Sequence, residues 1–365
     1  MHIALLEAYD TGSHAAWARG YAASSAHQVS LLTLEGRFWK WRMHGGAVTL
    51  ARRLDELAPP PDLILASDML DLTTLLSLTR QRTHHTPVAL YMHENQLTYP
   101  TRPNEKRDLH YGFINYASML CADLVLFNSR YHLESWFDEL PRLLKHFPDH
   151  NELDSVAALR DRSRVLPLGL DLARLLGMAE PVERRGPPLV IWNHRWEYDK
   201  DPTSFFEALY ALAQRGLAFQ VAVLGERFVR VPPVFRQARR RLADRIVQFG
   251  YAESRQEYAE WLRRGDLVVS TAIHEFFGAA VVEAVASGCW PLLPRRLSYP
   301  ELVPAALHTA CLYDEGDLTE RLAAAVSQID ALRSHTARET LRAAMLAYDW
   351  QRMAPRYDTL LSSLL

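Results

Sequence analysis

The sequence is poor in cysteine and has no excess of basic charge. Its three cysteines, Cys121, Cys289 and Cys311, are far apart, so neither a disulfide framework nor a zinc site is expected. The 41 basic and 43 acidic residues give a net charge of −2, which excludes nucleic-acid binding driven by overall charge. Any surface that binds nucleic acid must therefore be a local patch.

Long apolar runs are also missing. No run approaches the ~20 residues that a membrane-spanning helix needs. The N-terminal apolar stretch reaches Glu7 after only a few residues, which is too short and too weakly charged for a signal peptide. The turn after this stretch lacks the G-x-G-x-x-G fingerprint of dinucleotide-binding proteins. We therefore expect a soluble, cytoplasmic protein.

Short apolar runs alternate with amphipathic stretches over nearly the whole chain, which is typical of an α/β protein with parallel sheets. At 365 residues and 48% hydrophobic, the chain is long enough for about two domains. We predict a first domain over residues 1–170 and a second over 171–346, with a C-terminal helix over 347–365 that packs back on the first. The predicted strands are Ile3–Leu6, Val29–Leu34, Leu63–Ala66, Val88–Met92, Leu124–Phe127, Leu189–Trp192, Phe219–Leu224, Ile246–Phe249, Leu267–Ser270 and Trp290–Leu293.

Polar residues directly after a strand are the candidates for function, because such sheets bind ligands at the carboxyl ends of their strands. After the first strand, Gly12 would let a ligand approach the backbone and Ser13 would cap the next helix, although a plain turn explains both equally well. His93 and Glu94 follow the fourth strand, where half-buried polar groups must be paired or functional. Ser129, after the fifth strand, is explained by helix capping.

In the second half, the loop after the first strand carries Arg195 and Lys200. Two cations in one loop repel each other unless an anion lies between them. Asp199 and Asp201 flank Lys200 and match a D-x-D metal motif, but the lysine already supplies the positive charge. Asp201 before Pro202 is typical of a helix N-cap. We therefore expect no metal ion here.

The segment 273–284 has the strongest functional pattern. It follows a predicted strand, and its two carboxylates, Glu275 and Glu283, are separated by seven residues. Between them, a helix that starts at Gly278 would offer free backbone N–H groups to a phosphate. Glu283 stands among apolar neighbours, so we predict that it is buried rather than simply exposed, and a buried carboxylate suits a sugar hydroxyl.

A basic segment lies between Glu226 and Arg245. Phe235, Ala238 and Leu242 would form the buried face of a helix here, which leaves the arginines outside. A solvated surface explains such a helix, and a surface that faces RNA or phosphate is the sharper alternative. With two acids in the same segment the local charge is +5, from Arg227, Arg230, Arg236, Arg239, Arg240, Arg241 and Arg245.

The R-x4-K pair (Arg195, Lys200) and the E-x7-E pair (Glu275, Glu283) resemble the family-4 retaining glycosyltransferases. The resemblance implies a GT-B fold, in which two Rossmann-like domains face each other across a cleft and the C-terminal domain binds a nucleotide sugar. By this resemblance Arg195 and Lys200 neutralise the diphosphate, Glu275 faces the donor sugar, and Glu283 faces the nucleotide ribose. The remaining donor-binding candidates are Gly12, Ser13, Asn193, Phe276, Phe277 and Gly278.

A closer resemblance spans nearly the whole chain, from Ile3 to about Trp350. Six segments are similar to the tRNA-queuosine α-mannosyltransferases: GSH at 12–14, WKWR at 39–42, HENQLTYP at 93–100, FPDH at 147–150, NHRWEYDKDP at 193–202 and HEFFG at 274–278. That family implies transfer of mannose from GDP-mannose to the cyclopentenediol of queuosine at the wobble position of tRNA-Asp.

Retaining transfer without an enzyme nucleophile is usually described as a front-face reaction, in which the leaving diphosphate helps to take the acceptor proton. Arg195, Lys200 and the helix start at Gly278 would stabilise the leaving group without a metal. His93 is the candidate for contacting the sugar or the acceptor, with Glu94 orienting it or titrating beside it. Which of the two acts as a base stays open.

The acceptor is less constrained by the residues themselves. The candidates for RNA contact are Trp39, Lys40, Trp41, Arg42, Arg236, Arg239 and Arg240. Stacking on anticodon bases would use aromatic and basic residues, but membrane contact by an enzyme with a lipid or polysaccharide acceptor would use the same ones. A non-catalytic RNA-binding protein of this fold would lose the four charges of the donor site, and all four are present. The sequence does not indicate an oligomeric state.

Overall fold

The computed structural model describes residues 1–100, 107–225 and 231–365. Contacts within the chain divide it into two compact units. The N-terminal unit comprises Met1–Leu170 together with Trp350–Leu365, and the C-terminal unit comprises Asp171–Asp349. Among the described residues, each unit has one six-stranded parallel sheet with helices between its strands.

The sheet of the N-terminal unit has the strand order β2-β1-β3-β4-β5-β6. Its central strands are apolar along their length, because helices cover both faces of a parallel sheet. The strands are β1 (His2–Asp10), β2 (Gln28–Glu35), β3 (Leu63–Ser67), β4 (Val88–Met92), β5 (Leu124–Phe127) and β6 (Ser163–Val165). The helices are α1 (Gly12–Ser24), α2 (Trp39–Glu56), α3 (Leu72–Thr83), α4 (Leu109–Cys121), α5 (Arg130–Leu144) and α6 (Ser155–Asp161).

The sheet of the C-terminal unit has the strand order β12-β11-β10-β7-β8-β9. Its strands are β7 (Leu189–Asn193), β8 (Gln220–Leu224), β9 (Ile246–Gly250), β10 (Leu267–Val269), β11 (Trp290–Pro294) and β12 (Leu312–Tyr313). The helices are α7 (Leu172–Gly177), α8 (Pro202–Gln214), α9 (Pro233–Arg241), α10 (Arg255–Arg264), α11 (Ala279–Ala286), α12 (Tyr299–Leu302), α13 (His308–Cys311), α14 (Leu318–Ser327), α15 (Ile329–Arg333) and α16 (Ala337–Leu346).

Each sheet has one point at which the direction of strand addition reverses. In the N-terminal unit, the chain adds β2 on one side of β1 and then crosses to add β3 on the other side. In the C-terminal unit, the same reversal places β10 beside β7. Ligands of open parallel sheets bind at the carboxyl ends of the strands at such a point. The fold therefore directs attention to the residues that end β1, β3, β7 and β10.

A C-terminal helix, α17 (Trp350–Ser362), completes the N-terminal unit. Trp17 donates its indole N–H to the Tyr357 hydroxyl at 3.2 Å. Trp350 packs so closely on α1 that a Cβ atom at Gly20 would lie 2.0 Å from its indole nitrogen. Only glycine fits at this contact, so the helix position is fixed by α1 as well as by its own apolar face.

The structure corrects some local sequence predictions. Helix α1 begins at Gly12, so Ser13 lies in its first turn and Thr11 is the N-cap residue. The ten predicted strands are present, but two further strands, β6 with three residues and β12 with two, were not predicted. Within the described residues, no helix is both long and apolar enough to cross a membrane.

Candidate functional site

Lys200 is the centre of a buried charge cluster in the C-terminal unit. It lies in a short 3-10 turn after β7, and only 6% of it is exposed. Its ammonium nitrogen lies 3.1 Å from an Asp199 carboxylate oxygen and 3.3 Å from a Glu275 oxygen, and it donates to the His274 carbonyl at 2.8 Å. Glu275 arrives in the loop after β10, so the pair joins the two strands at the reversal point of the sheet.

The charges of this cluster hold one another in their ionised forms. Burial alone would raise the pKa of Glu275, but the charge and hydrogen bond of Lys200, together with His194 and His274, lower that pKa to about 2. Burial would lower the pKa of Lys200, and the charges of Glu275 and Asp199 raise it instead. His194 and His274 have pKa values lowered to about 4 by burial and by Lys200, so both rings are neutral at pH 7.

Arg195 shares the loop with Lys200 as predicted, and each of the two cations forms ion pairs with acidic side chains of this chain. The Arg195 guanidinium lies 3.4 Å from the Glu197 carboxylate, and half of its side chain is exposed. Asp201 caps α8, since its carboxylate accepts from the Ser204 N–H at 3.2 Å and from the Ser204 hydroxyl at 2.5 Å. The N-cap interpretation of Asp201 is therefore confirmed.

The predicted helix start at Gly278 is also confirmed. Gly278 has a φ of +97° and precedes α11, whose first turn presents backbone N–H groups at the carboxyl end of the sheet. The side chains of Phe276 and Phe277, which directly precede Gly278, are buried. Phe276 packs edge-on against the His274 ring, which indicates that the phenylalanines support the loop.

Glu283 lies on α11, and 13% of its side chain is exposed, in agreement with the predicted burial. It forms an ion pair with Arg255 and accepts a hydrogen bond from the Tyr258 hydroxyl at 2.8 Å. Asn193, at the end of β7, donates to that hydroxyl at 3.0 Å and to the Ala280 carbonyl at 2.8 Å. Arg255 and Tyr258 were missed by the sequence analysis, because nothing in α10 marks them as partners of a residue 25 or more positions away.

His93 directly follows β4, one strand away from the reversal point of the N-terminal sheet, and is 7% exposed. Its backbone N–H donates to the Asp68 carboxylate at 2.9 Å. Its ring packs 4.1 Å from the His14 ring and 4.6 Å from the Trp17 ring, measured between centroids. Glu94 is half-buried and accepts from the Gln96 side chain at 3.0 Å. Asp68 therefore holds the His93 backbone, and whether Glu94 orients His93 or titrates beside it stays a prediction.

A buried ion pair lies beside His93. The His14 ring nitrogen Nδ1 lies 3.0 Å from the Glu7 carboxylate. Burial would lower the pKa of His14, but the charge and hydrogen bond of Glu7 raise it to about 9, so His14 is an imidazolium at pH 7. Burial and the His14 charge hold the pKa of His93 well below its usual range. Burial raises the pKa of Asp68 to about 7, although His14 opposes this shift.

Ligand-type atoms of Glu7, His14 and His93 lie within 4.8 Å of one another, so they are the group to consider for a cation. The proton shared by Glu7 and His14 already satisfies two of the three. A metal could bind only by replacing that proton. We therefore interpret the group as an ion pair beside a neutral histidine.

Gly12 and Ser13 lie next to this cluster in sequence, and both are exposed. Gly12 has a φ of +52°, so the backbone turns sharply into α1 there. The role of the two residues in donor binding stays a prediction.

The aromatic segment at the start of α2 is divided between core and surface. Trp39 packs against Met43 and Tyr111 in a small core cluster, with the Lys40 ammonium 5.6 Å from its ring. Trp41 is 61% exposed, and the Arg42 guanidinium donates to the Glu35 carbonyl at 3.0 Å. Of the two tryptophans, Trp41 is therefore the one available for stacking on a base.

The basic segment of the C-terminal unit forms α9, with Phe235, Ala238 and Leu242 buried as predicted. Arg227 and Arg230 lie outside the described residues. Arginines on the outer face of the helix are exposed: Arg236, Arg239, Arg240 and Arg241.

The comparisons with known proteins agree with this architecture. A family model for the N-terminal part of tRNA-queuosine α-mannosyltransferase matches residues 2–170, and one for glycosyl transferases group 1 matches residues 187–330. A tRNA-queuosine α-mannosyltransferase of Drosophila melanogaster is 34% identical over 316 residues, which cover 83% of this chain and 82% of that protein. The chain belongs to the tRNA-queuosine α-mannosyltransferase family.

This member of the tRNA-queuosine α-mannosyltransferase family also has a more distant sequence relative and similar solved structures. A GDP-mannose:cellobiosyl-diphosphopolyprenol α-mannosyltransferase of Xanthomonas oryzae is 24% identical over 68% of this chain and 64% of that protein. The catalytic domain of starch synthase IV from Arabidopsis thaliana superposes with a TM-score of 0.73 at 12% identity, covering 100% of this chain and 99% of that one. A sucrose-phosphate synthase from Thermosynechococcus elongatus superposes with a TM-score of 0.69 at 15% identity, covering 100% and 99%. The predicted GT-B fold and the assignment as a glycosyltransferase are confirmed.

Proposed function

We propose that the chain is a cytoplasmic, retaining mannosyltransferase that moves mannose from GDP-mannose to the queuosine base at the wobble position of tRNA-Asp. The observation that carries the proposal is the 34% identity to a tRNA-queuosine α-mannosyltransferase, which extends over both units. The charge cluster around Lys200 and Glu275 supports it, because transfer from a nucleoside diphosphate sugar needs a stabilised diphosphate leaving group.

For the donor, the proposal assigns the diphosphate to Lys200, Arg195 and the N–H groups at the start of α11. An ammonium has three N–H donors, and Lys200 lies near three partners within the chain. A phosphate contact therefore requires that one partner leaves. The contact to Glu275 is the longest, at 3.3 Å. We assign the released Glu275 carboxylate to a hydroxyl of the donor sugar.

Glu283 is assigned to the ribose hydroxyls. Its two oxygens offer about four lone pairs, and the contacts with Arg255 and Tyr258 leave acceptor capacity free. Because both partners are fixed on α10, the carboxylate is already held in place before a ribose binds.

In the front-face reaction, negative charge builds on the leaving phosphate as the bond to the sugar breaks, and the acceptor proton passes to that phosphate. Lys200 and Arg195 would oppose this charge. His194 and His274 stay neutral at pH 7, so they add no positive charge at the phosphate, but they can donate or accept hydrogen bonds.

For the acceptor, we assign tRNA phosphates to the exposed arginines of α9, and an unstacked anticodon base to Trp41. The chain has a net charge of −2, so binding would depend on these local surfaces. The exposed fraction of Trp41 supports this choice over Trp39.

Mass spectrometry of tRNA nucleosides tests the proposal. Purified protein with GDP-mannose should add one hexose to queuosine in tRNA-Asp, and little to another queuosine-containing tRNA. The same tRNA-Asp carrying guanosine at the wobble position is the matched control and should stay unmodified. Transfer to a polyprenyl diphosphate acceptor instead of tRNA would show that the acceptor assignment is wrong.

The proposal also includes catalysis without a metal ion. Turnover should survive EDTA, since the positive charges at the leaving group are side chains and backbone dipoles. Loss of turnover in chelator, followed by recovery with Mg²⁺ or Mn²⁺, would contradict this part.

A further inference from the structure

Four polar side chains are buried together at the carboxyl edge of the N-terminal sheet. Glu7 lies in β1, Asp68 directly follows β3, His93 directly follows β4, and His14 lies in the first turn of α1. These three strands are neighbours in the sheet. None of the four residues is more than 8% exposed. The four side chains therefore form a polar cluster in an otherwise apolar region.

Two of these residues satisfy each other, and two do not. One Glu7 oxygen binds His14 at 3.0 Å, and the other accepts from the Tyr9 N–H at 2.7 Å. By contrast, the Asp68 oxygen Oδ2 and the His93 nitrogen Nε2 have no hydrogen-bond partner among the described residues. Buried polar atoms in folded proteins are nearly always hydrogen-bonded. Here two unpaired atoms belong to residues that are hydrogen-bonded to each other, which points to a ligand.

The charges select the chemistry of that ligand. Two imidazoles with centroids 4.1 Å apart do not both carry a proton easily, so the His14 cation keeps His93 neutral. A neutral His93 beside two acids, Asp68 and Glu7, disfavours a phosphate. The unpaired Asp68 oxygen accepts a hydrogen bond, or donates one when the carboxyl is protonated, and the His93 nitrogen donates or accepts one. Hydroxyl groups of an uncharged ring match both.

We propose that Asp68 and His93 form a binding site for hydroxyl groups of a polyhydroxylated ring, with the Glu7–His14 ion pair as the element that positions His93. The inference rests on the proposed mannosyl transfer, which supplies two such rings, the donor mannose and the cyclopentenediol of the acceptor. His93 was a candidate for this contact from the sequence alone. Asp68, His14 and Glu7 are added by the structure.

Asp68→Asn tests the site by binding measurements. The amide keeps the size of the side chain and an oxygen for the His93 N–H, but it replaces the unpaired Oδ2 by an NH2 group that only donates. If the ring is mannose, the advantage of GDP-mannose over GDP in affinity should fall about tenfold or more, with GDP affinity unchanged. If the ring is the cyclopentenediol, discrimination between queuosine- and guanosine-containing tRNA should fall by that factor instead.

Asp123→Asn is the matched control. Asp123 also accepts a backbone N–H, that of Val88 at 2.8 Å, but at the amino end of the strands. It should leave both ratios unchanged. The inference is overturned if Asp68→Asn changes neither ratio while the protein stays folded. If wild type adds no hexose to queuosine but the GDP-mannose advantage still depends on Asp68, the acceptor assignment fails and this site stands.

His14→Gln tests the positioning role with a readout that packing alone does not move. Without the neighbouring cation, the His93 ring should titrate at a higher pH in histidine NMR spectra than in wild type. Among the described residues, the other charged or titratable groups of this cluster are Tyr91, His132, Asp68, Glu7 and Glu94. An unchanged His93 titration in folded His14→Gln would show that the ion pair does not act on His93.

Discussion

The two units place their polar residues at equivalent edges of similar sheets, but the interactions among those residues differ. The N-terminal edge holds a neutral histidine between aromatic rings, and the cation beside it, His14, is matched by Glu7. The C-terminal edge is a network of full charges in which Lys200 lies between Asp199 and Glu275. The first arrangement suits uncharged hydroxyls, and the second suits an anion whose charge grows during reaction. One fold therefore supports two kinds of recognition through the residues that end its strands.

Among the substitutions, Lys200→Ala should have the largest effect, because it removes the cation at the centre of the charged edge. We expect turnover to fall about 10²–10³-fold, because one preorganised donor to the leaving group is lost and two carboxylates remain without their cation. GDP affinity should fall as well. Steady-state kinetics and calorimetric GDP titration measure both. Lys145→Ala, at an exposed position of the N-terminal unit, is the control and should behave as wild type.

The two edges should respond to pH in opposite directions. The His14 pKa is about 9 in the folded state against 6.5 ordinarily, so its stabilisation is complete below pH 6.5 and is lost as pH rises through 9. The Glu275 pKa is about 2 against 4.5, so its stabilisation is present above pH 4.5 and is lost as pH falls through 2. Each shift corresponds to about 3 kcal/mol of unfolding free energy.

Hydrogen exchange read by mass spectrometry separates these two windows, because it reports each unit on its own. Peptides of the N-terminal unit should lose protection between pH 6.5 and 9.5, and His14→Gln should remove that dependence. His85→Gln, an exposed histidine of the same unit, is the control. Equal pH responses of wild type and His14→Gln would show that the ion pair does not contribute.

Glu275→Gln and Glu283→Gln sharpen the comparison within the charged edge. Glu275→Gln should lower turnover about 10–100-fold with little change in GDP affinity, since sugar contacts strengthen in the transition state. Glu283→Gln should weaken GDP binding about tenfold, since ribose contacts are similar in the ground and transition states. Equal effects of the two changes on GDP affinity would remove this division of roles.

Replacing Arg236, Arg239 and Arg240 together by Glu should weaken tRNA binding by at least several-fold at low salt and leave GDP binding intact. Phosphate contacts release counterions, so the difference from wild type should shrink as salt rises. Trp41→Ala should cost about 1–3 kcal/mol of stacking that is less sensitive to salt. Filter binding across a salt series measures both. If the triple change leaves tRNA affinity unaltered, α9 is only a solvated face.

The sequence predicted the strands and the strand-end residues well because both depend on local patterns. Lys200 and Glu275 each follow a buried apolar run, and that position is visible without a structure. The edge strand β12 has two residues and carries no periodicity of its own.

Partners across the fold could not be predicted in the same way. Glu7 lies within the apolar run of β1, and Asp68 is followed by apolar residues, so neither stands out from its neighbours. Glu94 is next to His93 in sequence, and its carboxylate accepts from the Gln96 side chain. The acid that holds the His93 backbone comes from 25 positions earlier. Such pairs depend on strand order, which a single sequence does not show.

The return of the chain to the N-terminal unit has a consequence for biosynthesis. The first 170 residues leave the ribosome long before Trp350, so their α1 surface around Gly20 stays uncovered while the whole C-terminal unit is made. Until α17 arrives, Trp17 lacks the Tyr357 hydroxyl that its indole binds in the finished protein. A released chain that ends at Asp349 should therefore carry a folded C-terminal unit and a loosened N-terminal one, which is the reverse of the order in which the two are synthesised.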